Sequence, residues 1–463
     1  MADLNPPSLS ADEWRERLHR AIPGGAHTYS RGDDQFPRNA PPILVRGKGA
    51  LVWDADGREY LDYGMALRAV TLGYADDRVN AAAAEAMGMG VNLTRATWTE
   101  LRAAETLIDM IPSVEMAKFA KNGSNVTTAA VKIARAYTGR RYVCIPRQQP
   151  FFSFDDWFIG TTSLKRGVPG EHVVNTLVFD YGDIASLRAL FERHPGEIAA
   201  VMLEPATSLI PCAPACGGPA LWPQRPCAAC PDRAGNFLHQ VQSLCRSSGA
   251  LFILDEMITG FRWSPGGAQE FFGVMPDIST FGKGMANGHS VAAVGGRREV
   301  MQVGSIDQPG MERTFLLSTT HGAEMPGLAA FIETARIYRA EDVTGHHWRY
   351  CIRLRDGIHE ISRRHGVNDH FMLDGPAIAL NILALDLKKQ PSLALRTLFA
   401  QEMIRHGVLM PCIAVSQSHG DSELARTLEA VDKALAVFSR ALESGTEDFL
   451  IGPAMKPVFR SHN

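Results

Sequence analysis

The stretch ALFILDEMITGFR, residues 250–262, decides the fold. It opens on an unbroken apolar run that stops at Asp255. A strand with one wet face would alternate apolar and polar side chains, whereas a continuous run suits a strand buried on both faces of a parallel sheet. Similar runs recur at YVCIP (142–146), EIAAVMLEP (197–205) and SVAAVGG (290–296). Helical segments lie between or near them: NVTTAAVKIARAYTG (125–139), closed by Gly139, and NFLHQVQSLCRSSG (236–249). This alternation predicts an α/β fold with a parallel sheet over about 115–300. Upstream, residues 43–63 predict strands with a turn at Asp56–Gly57, and LRAAETLIDMI (101–111) predicts a helix that stops before Pro112. After residue 325 the pattern turns helical, and a mixed α+β tail from about 340 predicts a second, smaller domain.

The composition fits that picture. The chain has 463 residues, 45% of them hydrophobic and 21% charged, as in ordinary globular proteins. A formal net charge of −3 gives no basic field, so nucleic acid and anionic membrane are not expected partners. No export signal or apolar run long enough to span a bilayer is visible, and a cytoplasmic location is expected. Cys144, Cys245, Cys351 and Cys412 are scattered and read as buried thiols; the other four cysteines cluster at 212–230.

Asp255 ends its strand, and ligands of parallel sheets collect at the carboxyl ends of strands. Lys283 follows 28 residues later in PDISTFGKGMANGH (276–289), among Gly282, Gly284, Ala286 and Gly288. A lysine cleared of bulky neighbours, paired with a strand-end carboxylate, suits pyridoxal phosphate (PLP). Its aldehyde needs an amine and its ring nitrogen needs an acid partner. The nearest carboxylate in sequence that could pair with Lys283 is Asp277. In KNGSNVTTAAVKIAR (121–135), Gly123 and Ser124 precede a helix whose free N–H groups would take a phosphate. STTHGAE (318–324) is a further hydroxyl- and glycine-bearing turn before a helix. Each motif alone also fits a solvated turn or a helix cap.

Together, in this order, the motifs resemble those of class III aminotransferases of fold type I, among them glutamate-1-semialdehyde 2,1-aminomutase and the aminomutase-like transaminases. DEMITGFR, FGKGMANG, NGS and VMLEP resemble the family's cofactor-aspartate, lysine, phosphate and strand-end motifs, and the likeness runs from about residue 22 to about 440. The resemblance implies a seven-stranded, mostly parallel sheet in a large PLP-binding domain (58–335) with a cysteine-rich insertion at 211–234. A small domain would come from residues 1–57 and 336–463. It implies Lys283 as the Schiff-base lysine and Asp255 as partner of the ring nitrogen. Gly123, Ser124 and Thr320 would hold the phosphate, with Thr320 reaching across from the second subunit of a homodimer; Thr319 is one residue away. Phe151 takes the place of an aromatic ring over the cofactor and Phe152 that of a histidine. Arg31, Glu204, Leu67 and Arg68 would face substrate, Leu67 standing where the aminomutases carry tryptophan and Arg68 where they carry glycine.

The implied activity is ping-pong transfer of an amino group from an amino donor to an aldehyde or keto group, on a sugar-like or polyhydroxylated metabolite. The alternatives are an intramolecular aminomutase and an inactive binding or scaffold protein. Finally, Cys212, Cys216, Cys227 and Cys230 have spacing suited to one structural zinc.

Overall fold

The computed structural model describes residues 6–213, 216–229 and 233–462, and the chain divides into two compact units. The larger comprises residues 77–345 and 459–463. Its seven strands are β1 (Met116–Ala120), β2 (Tyr142–Pro146), β3 (Thr176–Phe179), β4 (Ile198–Leu203), β5 (Leu251–Asp255), β6 (Ile278–Phe281) and β7 (Ala292–Gly296). Their spatial order is β1-β7-β6-β5-β4-β2-β3. Strands β2 to β6 pair in parallel. Every residue of β4, β5, β6 and β7 is buried, which is why β4, β5 and β7 read as continuous apolar runs, whereas β6, ISTF, buries Ser279 and Thr280 as well and does not.

One strand departs from the parallel run expected over 115–300. β7 is antiparallel to both β6 and β1. Between Phe281 and Ala292 there is only a short 3-10 turn. A parallel return needs a crossover of about a dozen residues or more, so the chain reverses instead. Since β1 and β6 are both antiparallel to β7, they point the same way. The carboxyl ends of β1, β2, β4, β5 and β6 therefore share one edge of the sheet.

The helices that cover this sheet begin and end as their sequences dictate. Asn122 caps Gly123–Thr138 by accepting from the Asn125 amide, and Gly139 ends it at φ 67°. Thr97 and Glu100 form a capping box ahead of Trp98–Met110. Beside the sheet, Trp222 meets Trp263, Phe271 and Phe272 edge to face, with ring centroids 5.6, 5.1 and 5.7 Å away. Trp222 lies in the cysteine-rich segment, so that segment is partly tied down by an aromatic cluster.

The smaller unit comprises residues 1–76 and 346–458. Strands Leu44–Lys48, Leu51–Asp54 and Glu59–Asp62 form an antiparallel meander, and Val408–Leu409 adds in parallel to the last. The turn expected at Asp56–Gly57 is present, with Gly57 at φ 81° and the Asp54 carboxylate accepting from the Asp56 and Arg58 amides. Phe371–Asp374 and Asn381–Ala384 form a separate hairpin. Among the described residues, no helix is long and apolar enough to cross a membrane.

Candidate active site

In the larger unit the shared strand edge gathers the predicted residues. Asp255 ends β5 and is 2% exposed. Its Oδ1 accepts from the Met257 amide at 3.0 Å and from the Thr280 hydroxyl at 2.9 Å. Burial pushes its carboxyl up to about 6, against the pull of the Lys283 ammonium and of those two donors. Lys283 follows β6 and is half-buried, with φ at 41°. Asp277, at the other end of β6, does not serve as its partner. That carboxylate binds the Arg297 guanidinium at 2.8 Å and accepts from the Phe252 amide at 2.7 Å.

Met257 shows how closely the motifs approach. A Cβ on Gly123 would lie 3.0 Å from the Met257 Sδ, and a Cβ on Gly282 would lie 2.5 Å from it. The Gly123 helix start, the aspartate strand and the lysine loop thus converge on one thioether, and a Cβ at either glycine would have to push the Met257 side chain aside. Sequence reading did not single out Met257; its signal is the pair of glycines that make room for it.

The phosphate motif is tied to the loop that carries Phe151. Ser124 is buried, and its Oγ accepts from the Phe154 amide at 3.0 Å. Thr127 donates to the Phe152 carbonyl at 2.8 Å. Phe152 is buried edge-on against Phe158, whereas Phe151 is 46% exposed. Of the two rings, Phe151 is the one free to cover a ligand. Glu204, just past β4, is held by Gln149: the Gln149 side chain accepts from the Glu204 amide at 2.7 Å and donates to its carbonyl at 2.8 Å. Gln149 was not legible as a site residue, because its partner lies 55 positions away. Thr319 and Thr320 are both exposed.

These residues fit PLP. They supply a half-buried amine, a buried carboxylate near it, and a helix start kept open by glycine with a serine at its second position.

The remaining substrate candidates lie in the smaller unit. Arg31, Leu67, Asp62 and Tyr74 line a cavity of about 850 Å³, with Arg46 and Lys456 also on its walls. Arg68 is not among the lining residues. Met65, Ala66, Leu67 and Arg68 all have positive φ, from 40° to 71°, and form one left-handed helical turn. For residues bearing a Cβ this costs roughly 1–2 kcal/mol each. Burial raises the Asp62 carboxyl, while the Tyr74 hydroxyl and the Gly64 and Met65 amides pull it back down.

The four-thiolate zinc set is not supported. The Cys212 and Cys227 sulfurs lie 3.1 Å apart, and Cys216 lines the same small cavity. Cys230 lies outside the described residues. Among the described residues no group of three or more His, Cys, Asp or Glu side chains is arranged to hold a metal. The fourth thiol, needed to close a tetrahedron, has no described position.

Comparison with known proteins identifies the family. Residues 34–210 and 231–416 match the family described as aminotransferase class-III, leaving 211–230, the cysteine-rich stretch, outside the match. A glutamate-1-semialdehyde 2,1-aminomutase of Alkaliphilus oremlandii (strain OhILAs) is 30% identical over 444 residues, spanning 92% of this chain and 98% of its own. A 3-aminobutyryl-CoA aminotransferase of Cloacimonas acidaminovorans (strain Evry) is 29% identical over 442 residues, spanning 92% and 97%. Among solved structures, the Sphingopyxis sp. MTA144 FumI protein superposes with a TM-score of 0.80 at 27% identity, covering 94% of this chain and 97% of its own. An omega-transaminase from Sphaerobacter thermophilus gives 0.77 at 25% identity, covering 94% and 98%. The chain therefore belongs to the class-III aminotransferases and is a PLP-dependent enzyme of fold type I.

Proposed function

We propose that this enzyme transfers an amino group from a small amino donor to an external aldehyde or ketone, with Lys283 and Asp255 as its catalytic residues. The observation that carries this reading is the convergence of Gly123, Asp255 and Lys283 at one sheet edge around Met257. Bound PLP supplies an electron sink for the carbanion left when the donor's Cα loses its proton. Lys283 is the base that takes that proton and the acid that delivers it. Asp255 would partner the ring nitrogen and, as a carboxylate, favour its protonated form. The amides of Gly123 and Ser124 would hold the phosphate, Phe151 would cover the cofactor, and Glu204 would orient substrate from the end of β4.

The acceptor reading is a polar, sugar-like carbonyl compound. Support comes from the cavity in the smaller unit, whose wall carries the cationic groups of Arg31, Arg46 and Lys456 among apolar side chains. A homodimer completes the site in this reading, with Thr320 supplied by the second copy. The exposed apolar residues at 87–101 and 306–315, among them Met89, Leu93, Trp98 and Phe315, are consistent with a covered face.

Likeness to aminomutases favours a second reading, in which the amino group moves within one molecule. The two separate in a single experiment. Donor amino acids or amino sugars are added alone to the purified holoenzyme, and cofactor absorbance is followed alongside keto-product release. The transaminase reading expects full bleaching of the cofactor band and one equivalent of keto product per site. Substantial isomerisation of glutamate-1-semialdehyde with no donor present would replace it with the mutase reading. No spectral response to any of these amines would sink both.

A further inference from the structure

We infer that Tyr74 is a positioning residue for substrate selection: through Asp62 and the Ala66 amide it holds the left-handed turn Met65–Arg68, which sets Leu67 as a wall of the cavity that also contains Arg31. The inference rests on the reading that this cavity takes substrate.

The turn is anomalous on its own terms. It has four successive residues at positive φ and no glycine within it. It is closed by local bonds, from the Arg68 amide to the Gly64 carbonyl at 3.0 Å and from the Val70 amide to the Met65 carbonyl at 3.1 Å. A right-handed turn could make bonds of the same kind, so these do not choose the hand. Two side chains add bonds to the amides that open the turn. Asp62 accepts from the Gly64 amide at 2.7 Å and from the Met65 amide at 3.0 Å. Tyr74 donates to Asp62 at 2.6 Å and accepts from the Ala66 amide at 2.8 Å. Three consecutive amides are thus captured by one carboxylate–phenol pair, and Asp62 is only 3% exposed.

Tyr74 is fixed independently of the turn. Its backbone exchanges two hydrogen bonds with Gly49, at 2.9 and 2.7 Å. Its ring lies over Gly47, where an added Cβ would come within 2.8 Å of the ring's attachment carbon. The clamp is therefore anchored to the meander, and the strained turn is hung from it. Asp62, Ala66, Leu67 and Tyr74 all line the cavity. Release of the clamp lets the turn relax toward the right-handed region, and Leu67 leaves its place in the wall.

The test uses the full-length holoenzyme with Tyr74→Phe, which deletes the hydroxyl and keeps the ring. Gly47→Ala, which displaces the ring without altering a hydrogen-bonding group, is the second variant. Amide hydrogen exchange of the segment 62–70 should be roughly tenfold faster in both. With pyruvate, 2-oxoglutarate and glyceraldehyde as acceptors, KM should rise about tenfold and the preference among the three should flatten. The kcat should stay within about twofold, as expected when uniform binding is lost and chemistry is not. Unchanged exchange would overturn the clamp. Faster exchange with unchanged KM and acceptor preference would overturn the selective role and leave a purely structural one. Wild-type enzyme that uses no donor with any acceptor would refute the preceding functional reading and the selective role with it; the exchange measurement would still decide whether the clamp exists.

Discussion

Asp255 illustrates what a buried carboxylate costs before its cofactor arrives. Its folded-state value of about 6 lies above the ordinary value near 3.9. The neutral acid is thus favoured in the folded protein. Its contribution to stability is present below about pH 4 and is lost as pH rises to about 6. By pH 7 the cofactor-free protein carries a penalty of about 2–3 kcal/mol at this one residue. Asp255→Asn keeps an acceptor for Met257 and Thr280 and removes the charge. Denaturant unfolding of cofactor-stripped proteins should show the variant more stable than wild type at pH 7, with the gap closing toward pH 4. A gap that stays constant with pH would argue against the assignment. With PLP bound the order reverses in function, because the variant should lose most turnover at an unchanged fold. Lys283→Ala should retain cofactor without a covalent link and transaminate slower by orders of magnitude. Borohydride reduction and peptide mapping of wild type should place the adduct on Lys283.

Three loops that meet on one methionine make an element-scale prediction. Gly282 has φ 179°, extended backbone open to any residue, so its glycine is needed for room alone. Gly282→Ala should force Met257 aside, cost about 1–3 kcal/mol and weaken PLP retention. Met257→Ala should repair part of that loss in the double variant, because the two changes share one contact. Strictly additive effects on thermal unfolding and PLP affinity would mean that the loops are not coupled there. The same region shows what sequence conveys. Asp255, Lys283 and the Gly123–Ser124 helix start were legible because each lies in a contiguous motif whose chemistry is local. Apolar runs betrayed β2, β4, β5 and β7, but not β1, β3 or β6, nor the direction of β7, which a short connection sets. Met257, Gln149 and the Asp62–Tyr74 clamp escaped because their meaning comes from partners distant in sequence or from a backbone hand that residue types do not announce.

For the whole molecule, the proposal that Thr320 acts across a dimer can be separated from action within one chain. Lys283→Ala and Thr320→Ala subunits, each nearly inactive, would be unfolded together and refolded at equal ratio. If Thr320 serves the other subunit, every mixed dimer regains one intact site, and activity should reach about a quarter of wild type. If it serves its own chain, mixing restores nothing. The segment left out of the family match offers a different handle. The Phe237 amide bonds to the Pro211 carbonyl at 2.8 Å, so the cysteine-rich excursion leaves and returns at one place. Its Trp222 stands 5.6 Å from Trp263 at 77°. Two indoles so close and so inclined couple their ultraviolet transitions, and the pair should give the native protein a near-ultraviolet circular dichroism signal of its own. That signal is a built-in optical gauge: it should fade when the excursion parts from Trp263, Phe271 and Phe272, and Trp222→Phe should erase it while the helical content stays unchanged.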